Sequence, residues 1–455
     1  MKKYVYTFID GHADGSSKMK NLLGGKGANL AEMTNLKIPV PPGITITTEV
    51  CTYFMKHNRF PKGLKFQVLQ AIEKIENYTH KKFSDANSPL LLSVRSGARQ
   101  SMPGMMETVL NIGLSPITIK GMIKSTNNPK FVYDSYRRLI MMYADVVMEK
   151  TNDKFNNINI RMRLEHLLYD FKKKLNYKND SDLKTADLQI ICDLFKKEIL
   201  KKLHCAFPDN PVEQLWGSIE AVFKSWNGTR AINYRNIENI PHTWGTAVNI
   251  QCMVFGNMGK NSATGVGFTR NPATGEKRFF GEWLINAQGE DVVAGTRTPY
   301  YIDGNSKTDL KIQMPYIYKK LNSIQQILEQ HYKEMQDIEF TIEKNKLWIL
   351  QTRTGKRNGI AAIKIALDMY KEKIIDTSTM LSKIKPRHIN EILHPTINYK
   401  KTLRPIATGL PAGPGAACGI VVFTPSDAEK YFNNGKSVIL VREETSPEDV
   451  QGMFV

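Results

Sequence analysis

Cysteine is scarce in this 455-residue chain, and its five cysteines form no recognisable pattern. They are scattered along the sequence, with no C-x-x-C pair and no Cys/His cluster at the spacing of a zinc site. A disulfide framework and a zinc-binding module are therefore excluded. The odd number of separate cysteines predicts free thiols in a reducing compartment.

Long apolar runs are also missing. No stretch of about eighteen apolar residues occurs, so we expect no membrane-spanning helix and no membrane partner. The opening Met1-Lys2-Lys3-Tyr4 has neither the apolar core of a secretory signal nor the Arg/Ser-rich character of a transit peptide. These absences favour a cytoplasmic protein, and the length predicts two to four domains.

Basic residues outnumber acidic ones, which gives a formal net charge of +19. A strongly basic chain raises the hypothesis of nucleic-acid binding. The lysines, however, are spread through helical stretches such as 171–174 and 195–197. No helix-turn-helix signature and no basic strand interleaved with aromatic residues accompanies them. We therefore expect no nucleic-acid partner, and nucleic-acid binding stays an alternative to be tested.

Hydrophobic periodicity divides the chain into stretches of different character. Residues 4–115 alternate short apolar runs with glycine turns, which predicts mixed helix and strand. Residues 116–215 are rich in lysine and helical in period, with one apolar face formed by Tyr136, Leu139, Ile140, Tyr143 and Val147. Strand patterns return between 247 and 353. Residues 357–405 predict a linker with an amphipathic helix whose apolar face carries Ile363, Leu367 and Tyr370.

Residues 23–30, with the sequence LGGKGANL, combine a flexible backbone with a cation. Paired glycines let backbone N–H groups approach an anion closely, and Lys26 adds a point charge. A helix predicted from Ala28 to Met33 would direct its N-terminus at the same anion. The alternative is a plain glycine turn with a solvated lysine.

Residues 90–94 predict a buried strand with Arg95 at its C-terminal end, where open α/β sheets bind ligands. A guanidinium at that position can hold phosphate oxygens with two hydrogen bonds. The Ser/Gly/Met-rich segment up to Thr108 is expected to be mobile and to cover a nucleotide. The alternative is a surface arginine beside a flexible loop.

A hairpin is predicted over residues 336–353. Asp337 and Glu339 alternate onto one face of the first strand, and Gln351 and Arg353 onto one face of the second. A three-residue loop containing Asn345 would bring both pairs to the same side. The opposite, apolar side is expected to hold Ile338, Phe340, Trp348 and Leu350. Two carboxylates, an amide and a guanidinium on one face suit Mg²⁺ and a polyphosphate, although cross-strand ion pairs on a solvated face would look the same.

The stretch from Phe255 to Val293 is dense in glycine, which indicates turns between strands and close backbone approaches. Glu290 lies near its end and is a further candidate contact to a metal or a ribose.

In this order and spacing, the four segments resemble the N-terminal nucleotide-binding region of the pyruvate, phosphate dikinase family, over essentially the whole chain. Phosphoenolpyruvate synthases share the Gly-Gly-Lys-Gly-Ala-Asn and Val-Arg-Ser elements but lack the continuation seen at 96–106, so the dikinase family is preferred.

The resemblance implies an α/β (α+β) fold of the ATP-grasp type. Its two parts would be 1–115 and 216–356, separated by a helical subdomain at 116–215. A linker at 357–405 would follow, and 406–455 would open a swivelling phosphohistidine domain. The implied reaction converts ATP, phosphate and pyruvate to AMP, pyrophosphate and phosphoenolpyruvate, with Mg²⁺ and a monovalent cation as cofactors.

The same resemblance assigns roles to individual residues. The implied ATP-binding residues are Lys26, Arg95, Arg138, Glu290, Asp337, Glu339, Gln351 and Arg353. The implied metal ligands are Asp337, Glu339 and Gln351.

None of the nine histidines stands in a context like that of the family's relay histidine. His388 and His394 are interpreted as ordinary polar residues. The implied phosphohistidine and pyruvate-binding domains are therefore partners, and we expect this chain alone to bind MgATP without forming a phosphoenzyme. A non-catalytic remnant that at most binds nucleotide is the alternative, and the oligomeric state stays open.

Overall fold

Two antiparallel sheets with their helices organise the chain. The computed structural model describes residues 2–151, 158–293, 298–304, 306–393, 417–442 and 449–453. These residues form two compact units, 1–258 and 259–455. The predicted mixed class of helix and sheet is confirmed.

The first unit contains a six-stranded sheet in the order β2-β1-β3-β8-β6-β7, in which every neighbouring pair is antiparallel. The strands of this unit are β1 (Val5–Ile9), β2 (His12–Ala13), β3 (Gly43–Ile46), β4 (Lys82–Phe83), β5 (Pro89–Leu90), β6 (Leu92–Ala98), β7 (Thr108–Ile112) and β8 (Thr246–Cys252). Its helices are α1 (Lys20–Asn35), α2 (Thr48–His57), α3 (Leu64–Thr79), α4 (Pro116–Thr126), α5 (Pro129–Tyr143), α6 (Ile160–Lys174), α7 (Thr185–Leu203), α8 (Pro211–Ser225) and α9 (Thr229–Ile237).

The helical stretch begins at Ser115, whose side chain accepts from the backbone N–H of Thr118 and caps α4. Asn127 then takes a left-handed conformation and ends α4, while Asn128 caps α5 just before Pro129. The five residues predicted for the apolar face of the next helix are all buried, with Val147 in the π-helical turn that continues α5. That periodicity prediction is confirmed.

The second unit contains a five-stranded sheet in the order β11-β10-β9-β12-β13 and a separate parallel pair, β14 and β15. Its strands are β9 (Ala263–Phe268), β10 (Phe280–Ile285), β11 (Tyr300–Tyr301), β12 (Gln336–Glu343), β13 (Lys346–Thr354), β14 (Ile420–Val422) and β15 (Val438–Leu440). Its helices are α10 (Gly289–Val293), α11 (Leu310–Gln313), α12 (Pro315–Tyr332), α13 (Gly359–Lys371), α14 (Thr377–Lys383), α15 (Pro386–Leu393), α16 (Pro425–Asn433) and α17 (Val450–Met453).

The apolar face predicted for the helix after residue 357 is wrong. Leu367 and Tyr370 are exposed. The buried face of α13 carries Ala361, Ile365 and Met369, which form a core cluster with Met335 and Ile375. These contacts with Met335 and Ile375 decide which face of α13 turns inward. The described part of the 357–405 stretch contains three helices, α13, α14 and α15.

No helix in the described ranges is long and apolar enough to cross a membrane. Residues 394–416 and 443–448 lie outside the described residues, and they include His394 and the first part of the stretch 406–455.

Candidate nucleotide-binding site

The glycine turn lies inside a helix, not before one. Helix α1 begins at Lys20 and is interrupted at Gly24, which has φ 68° and ψ 171°. A Cβ added to Gly24 would stand 1.8 Å from the carbonyl oxygen of Gly97. The predicted helix start at Ala28 is therefore corrected. The interruption seats the turn against the end of β6, and the helix resumes at Gly25 with Lys26 in its first turn.

Arg95 lies in the middle of a strand. Strand β6 continues to Ala98, and the sheet is antiparallel, so the prediction of a ligand-binding C-terminal strand end is wrong. The strand continues because Ser96 and Gly97 pair with Val248 and Ala247 of β8. Arg95 is half-buried, and β6 lies between β8 and β7, so Arg95 lies within the sheet and not at its edge.

A row of polar residues crosses this sheet on one face. Thr45 pairs with Asn249, Asn249 with Arg95, and Arg95 with Thr108. Residues directly opposite in a sheet share a face, so these four side chains lie side by side. Thr45 and Asn249 are buried. A Cβ added to Gly27 would lie 2.7–2.8 Å from atoms of both side chains. Gly27, the neighbour of Lys26 in α1, therefore lies against Thr45 and Asn249, and Arg95 is the next residue of the same row.

Arg138 lies on α5 and is held by Asp134. Its Nε donates to Oδ2 of Asp134 at 3.0 Å, while Arg137 donates to the other carboxylate oxygen at 2.7 Å. Burial by itself would raise the pKa of Asp134, but the two guanidinium groups outweigh it and hold that pKa below its ordinary value. Arg138 is thus part of an ion-pair cluster within the helical stretch.

The segment between β6 and β7 is anchored at both ends. The Arg99 guanidinium lies over the Trp244 ring at 5.2 Å. At the other end Glu107 accepts from Arg230 at 2.9 Å and from Lys150 at 3.1 Å. Met102 and Met105 are buried between these anchors. Met102 and Met105 therefore pack inward, while the expected mobility of the segment and its covering of a nucleotide stay predictions.

The hairpin of the second unit has a two-residue turn and a bulge. Lys344 and Asn345 both have positive φ, 47° and 63°, which suits the tight turn of a right-twisted hairpin. The register then shifts between Glu339 and Phe340, which leaves Leu350 as the extra residue of β13. The predicted three-residue loop is wrong, because the additional residue sits in the strand.

The bulge reverses the sidedness of β13 partway along its length. Before it, Leu347 and Ile349 pair with Ile342 and Phe340, and all four side chains are buried. Trp348 pairs with Thr341, on the other face, and Leu350 is the extra residue of the bulge. The prediction that Trp348 and Leu350 lie on the apolar face is therefore wrong. After the bulge, Gln351 and Arg353 face the side of β12 that carries Glu339 and Asp337.

The four hairpin residues thus meet as predicted. Nε of Arg353 donates to Oδ2 of Asp337 at 2.6 Å, and Nε2 of Gln351 donates to Oε1 of Glu339 at 3.0 Å. Burial raises the pKa of Asp337, with a smaller contribution from Glu339, while Arg353 opposes the shift. A raised pKa means that the ionised carboxylate lacks some of the stabilisation it would have in water, so an added cation would be favourable.

Ion pairs at the base of the hairpin fix its position. Glu334, just before β12, accepts from Arg357 at 2.9 Å and from Lys383 at 2.7 Å. Burial acts to raise the pKa of Glu334, but these two cations hold it below its ordinary value. The ends of β12 and β13 are therefore tied together and to α14.

A buried charge network also ties β9 to two helices. Arg270, just after β9, is fully buried and bonds Glu329 of α12 at 2.7 Å and Glu372 at 2.9 Å. Thr269 donates to the same Glu329 carboxylate at 2.7 Å. Because β9 pairs with β12 at Asp337, this network fixes the strand beside the acidic pair.

The residues present fit a magnesium ion only in part. Asp337, Glu339 and Gln351 offer hard oxygen atoms, and Mg²⁺ commonly binds one or two carboxylates and takes its remaining ligands from water and phosphate. Among the described side chains, no group of three or more His, Cys, Asp or Glu could hold a metal by itself. Glu290 belongs to α10, and its side chain lies outside the described residues.

Comparison with known proteins decides the family. The model of the pyruvate phosphate dikinase AMP/ATP-binding domain matches residues 20–65, 58–315 and 303–374, which include every candidate residue named above. The chain belongs to this family. It is 49% identical to the pyruvate, phosphate dikinase of Rhizobium meliloti (strain 1021) over 461 residues, covering 100% of this chain and 50% of that protein.

Other dikinases agree. The enzyme of Rickettsia prowazekii (strain Madrid E) is 51% identical over 100% of this chain and 51% of its own length. The chloroplastic pyruvate, phosphate dikinase 1 of Arabidopsis thaliana is 48% identical over 99% of this chain and 46% of its own. The chain thus spans about half the length of the dikinases it matches, and it corresponds to their N-terminal, ATP-binding half.

The candidates are divided between the two units. Lys26, Arg95 and Arg138 belong to the first unit, where Arg95 is part of the polar row. Asp337, Glu339, Gln351 and Arg353 belong to the hairpin of the second. Sequence reasoning missed Asn249, although a polar residue within the apolar run from Ala247 to Ile250 is a usable signal.

Proposed function

We propose that the chain binds MgATP and performs the nucleotide-dependent half of a dikinase reaction. The observation that carries this proposal is the pairing of Asp337 with Arg353 and of Glu339 with Gln351 on one face of a rigid hairpin. Membership of a family described as an AMP/ATP-binding domain supports a nucleotide as the ligand.

In the first unit, Lys26 and Arg95 are the proposed phosphate contacts. Helix α1 supplies backbone N–H groups after the break at Gly24, and Arg95 supplies a planar donor from the adjoining polar row. Arg138 is proposed as a further cation near the phosphates, oriented by Asp134. Together these groups would offset the charge of a triphosphate.

In the second unit, Asp337, Glu339 and Gln351 are the proposed magnesium ligands, and Glu290 is a proposed nucleotide contact. The metal would neutralise phosphate oxygens when bound. Arg353, held beside Asp337, would donate to a phosphate oxygen. The raised pKa of Asp337 supports a cation at this carboxylate, since its ionised form gains from a nearby positive charge.

The full reaction of the relatives is a proposal for this chain, because about half of their length is matched. We propose that the phosphoryl group passes to a histidine outside the described site, on a phosphohistidine domain, and then to pyruvate. The chain would supply nucleotide binding and charge stabilisation. The segment boundaries given above are proposed to separate an ATP-grasp body at 1–115 and 216–356 from a helical subdomain, a linker and the opening of that domain.

The decisive experiment combines calorimetric titration with radiolabelling. MgATP should bind with one site per chain, and the Glu339→Gln variant should bind at least about tenfold more weakly. With ATP labelled at the β position, the chain alone should incorporate no label that survives a denaturing quench at alkaline pH, where phosphohistidine is stable. Absence of MgATP binding would overturn the nucleotide assignment, and stable incorporation would overturn the assignment of the acceptor to another domain.

A further inference from the structure

We propose that Asn249 is a positioning residue that sets the separation between Lys26 and Arg95. The inference rests on the proposed function, because it concerns the two cations assigned to the phosphates. Asn249 touches neither nucleotide nor metal in this proposal. It acts through the backbone of α1 on one side and of β6 on the other.

The side chain of Asn249 is completely buried at the centre of β8. Oγ1 of Thr45 donates to its Oδ1 at 2.9 Å, which fixes the plane of the amide. Its Nδ2 has no hydrogen-bond partner within the part of the chain that the structure describes. The hydrogen bond from Thr45 therefore fixes the Oδ1 end of the amide, and the Nδ2 end lies against the surrounding atoms.

Glycines flank the amide on both sides. A Cβ on Gly97 would stand 2.5 Å from Nδ2, and one on Gly27 would stand 2.8 Å from Oδ1. Gly27 follows Lys26 in α1, and Gly97 lies two residues beyond Arg95, the cross-strand partner of Asn249. The amide thus fills the space that both glycines leave open, and its size determines how closely α1 approaches the strand that carries Arg95.

A purely space-filling role would not need an amide. A buried N–H donor without a partner disfavours folding, and an apolar side chain of similar volume would avoid that cost. A hydrogen-bonded amide has one orientation, whereas an apolar chain of that size has several rotamers. A fixed orientation matters for two cations that must meet one polyphosphate, because small displacements of binding groups weaken such sites strongly.

The sharpest test is a rescue experiment on MgATP affinity. In Gly97→Ala the new Cβ makes one contact closer than 3.7 Å, with Nδ2 of Asn249. We expect this variant to bind MgATP about tenfold more weakly, with adenosine binding unchanged, because the phosphate contacts are displaced. Adding Asn249→Ser should recover most of that loss, since the shorter side chain removes the contact. Asn249→Ser alone should weaken MgATP binding much less than Gly97→Ala does, and it should leave adenosine binding unchanged.

The matched control is Gly97→Ala combined with Gln251→Ser. Gln251 is buried two residues from Asn249, on the same strand and the same face. Its amide donates to the carbonyl oxygen of Pro41. This pair should show no rescue. Additive effects of Gly97→Ala and Asn249→Ser on MgATP affinity would overturn the positioning role but not the proposed function. Equal losses of affinity for adenosine and MgATP would do the same. Failure of the unsubstituted chain to bind MgATP would overturn the proposed function, and the positioning role with it.

Discussion

Arg353 and Asp337 form a 2.6 Å ion pair across the hairpin, between a partly exposed guanidinium and a buried carboxylate. The pair holds both groups in place. Burial raises the pKa of the Asp337 carboxyl, and the Arg353 guanidinium opposes that shift.

Replacing Asp337 by Asn should weaken MgATP binding by at least about tenfold, or ~1.4 kcal/mol. Folding should lose little stability at neutral pH, because a raised pKa means that the ionised form is disfavoured in the folded state. For the same reason, the affinity of the unsubstituted chain should begin to fall, on acidification, at a pH above the ordinary value of 3.8. Calorimetric titration across pH measures both effects.

The control is Glu343→Gln, at the turn end of the same strand, which should leave MgATP affinity unchanged. Equal affinity of Asp337→Asn and the unsubstituted chain would remove Asp337 from the site.

Gly24→Ala should destabilise the first unit by more than about 2 kcal/mol, since positive φ and a close backbone oxygen act together. Gly435→Ala is the matched comparison. Gly435 also has positive φ, but nothing lies within 4 Å of its added Cβ, so about 1 kcal/mol of backbone strain is expected. Urea unfolding followed by circular dichroism, with each unit fitted separately, measures both. Equal costs would contradict the close packing of the glycine turn on Gly97.

Arg270→Met should destabilise the second unit by about 3–5 kcal/mol, because it leaves the Glu329 carboxylate buried without its partner. The double variant Arg270→Met/Glu329→Gln should lose less free energy of unfolding than the two single variants lose together. Lys277→Met, which removes an exposed contact to Glu372, should cost less than about 1 kcal/mol. Denaturant unfolding of the four variants tests the coupling, and simple additivity would show that the network is not cooperative.

Acid should weaken the helical stretch through Asp134. Its folded-state pKa lies below the ordinary 3.8, so its contribution is complete above about pH 4 and is lost as pH falls through the lowered value. Asp134→Asn should lower stability at neutral pH and flatten the dependence on pH below about 4. Thermal melting of both proteins over this range provides the comparison. A parallel decline in the two would assign the acid sensitivity to other carboxylates.

Local pattern predicted much of what the structure contains. The helix face from Tyr136 to Val147 was predictable because the 3.6-residue period is strong there. The sequence predicted that Asp337 and Arg353 share one face. Side chains alternate along each strand, and one extra residue between the two positions brings both to the same side. The site of that extra residue did not, since a loop and a bulge satisfy the same count, and cross-strand packing decides between them.

Other features depended on contacts between segments far apart in sequence. The length of β6 past Arg95 follows from pairing with β8, more than 140 residues later, and no local signal marks it. The inward face of α13 was misjudged because its packing partners, Met335 and Ile375, lie outside the helix, and the local pattern does not identify them. The role of each candidate residue stays a prediction until binding is measured.

The bulge at Leu350 has an optical consequence. By turning Trp348 out of the core, it sets an indole in register with Thr341, two residues along β12 from Glu339 and beneath the ammonium of Lys346 at 4.1 Å. The emission of such a ring responds to nearby charge. The hairpin therefore carries an intrinsic fluorophore near its carboxylates. Ligand binding to the hairpin can be followed by tryptophan emission, without attaching a dye.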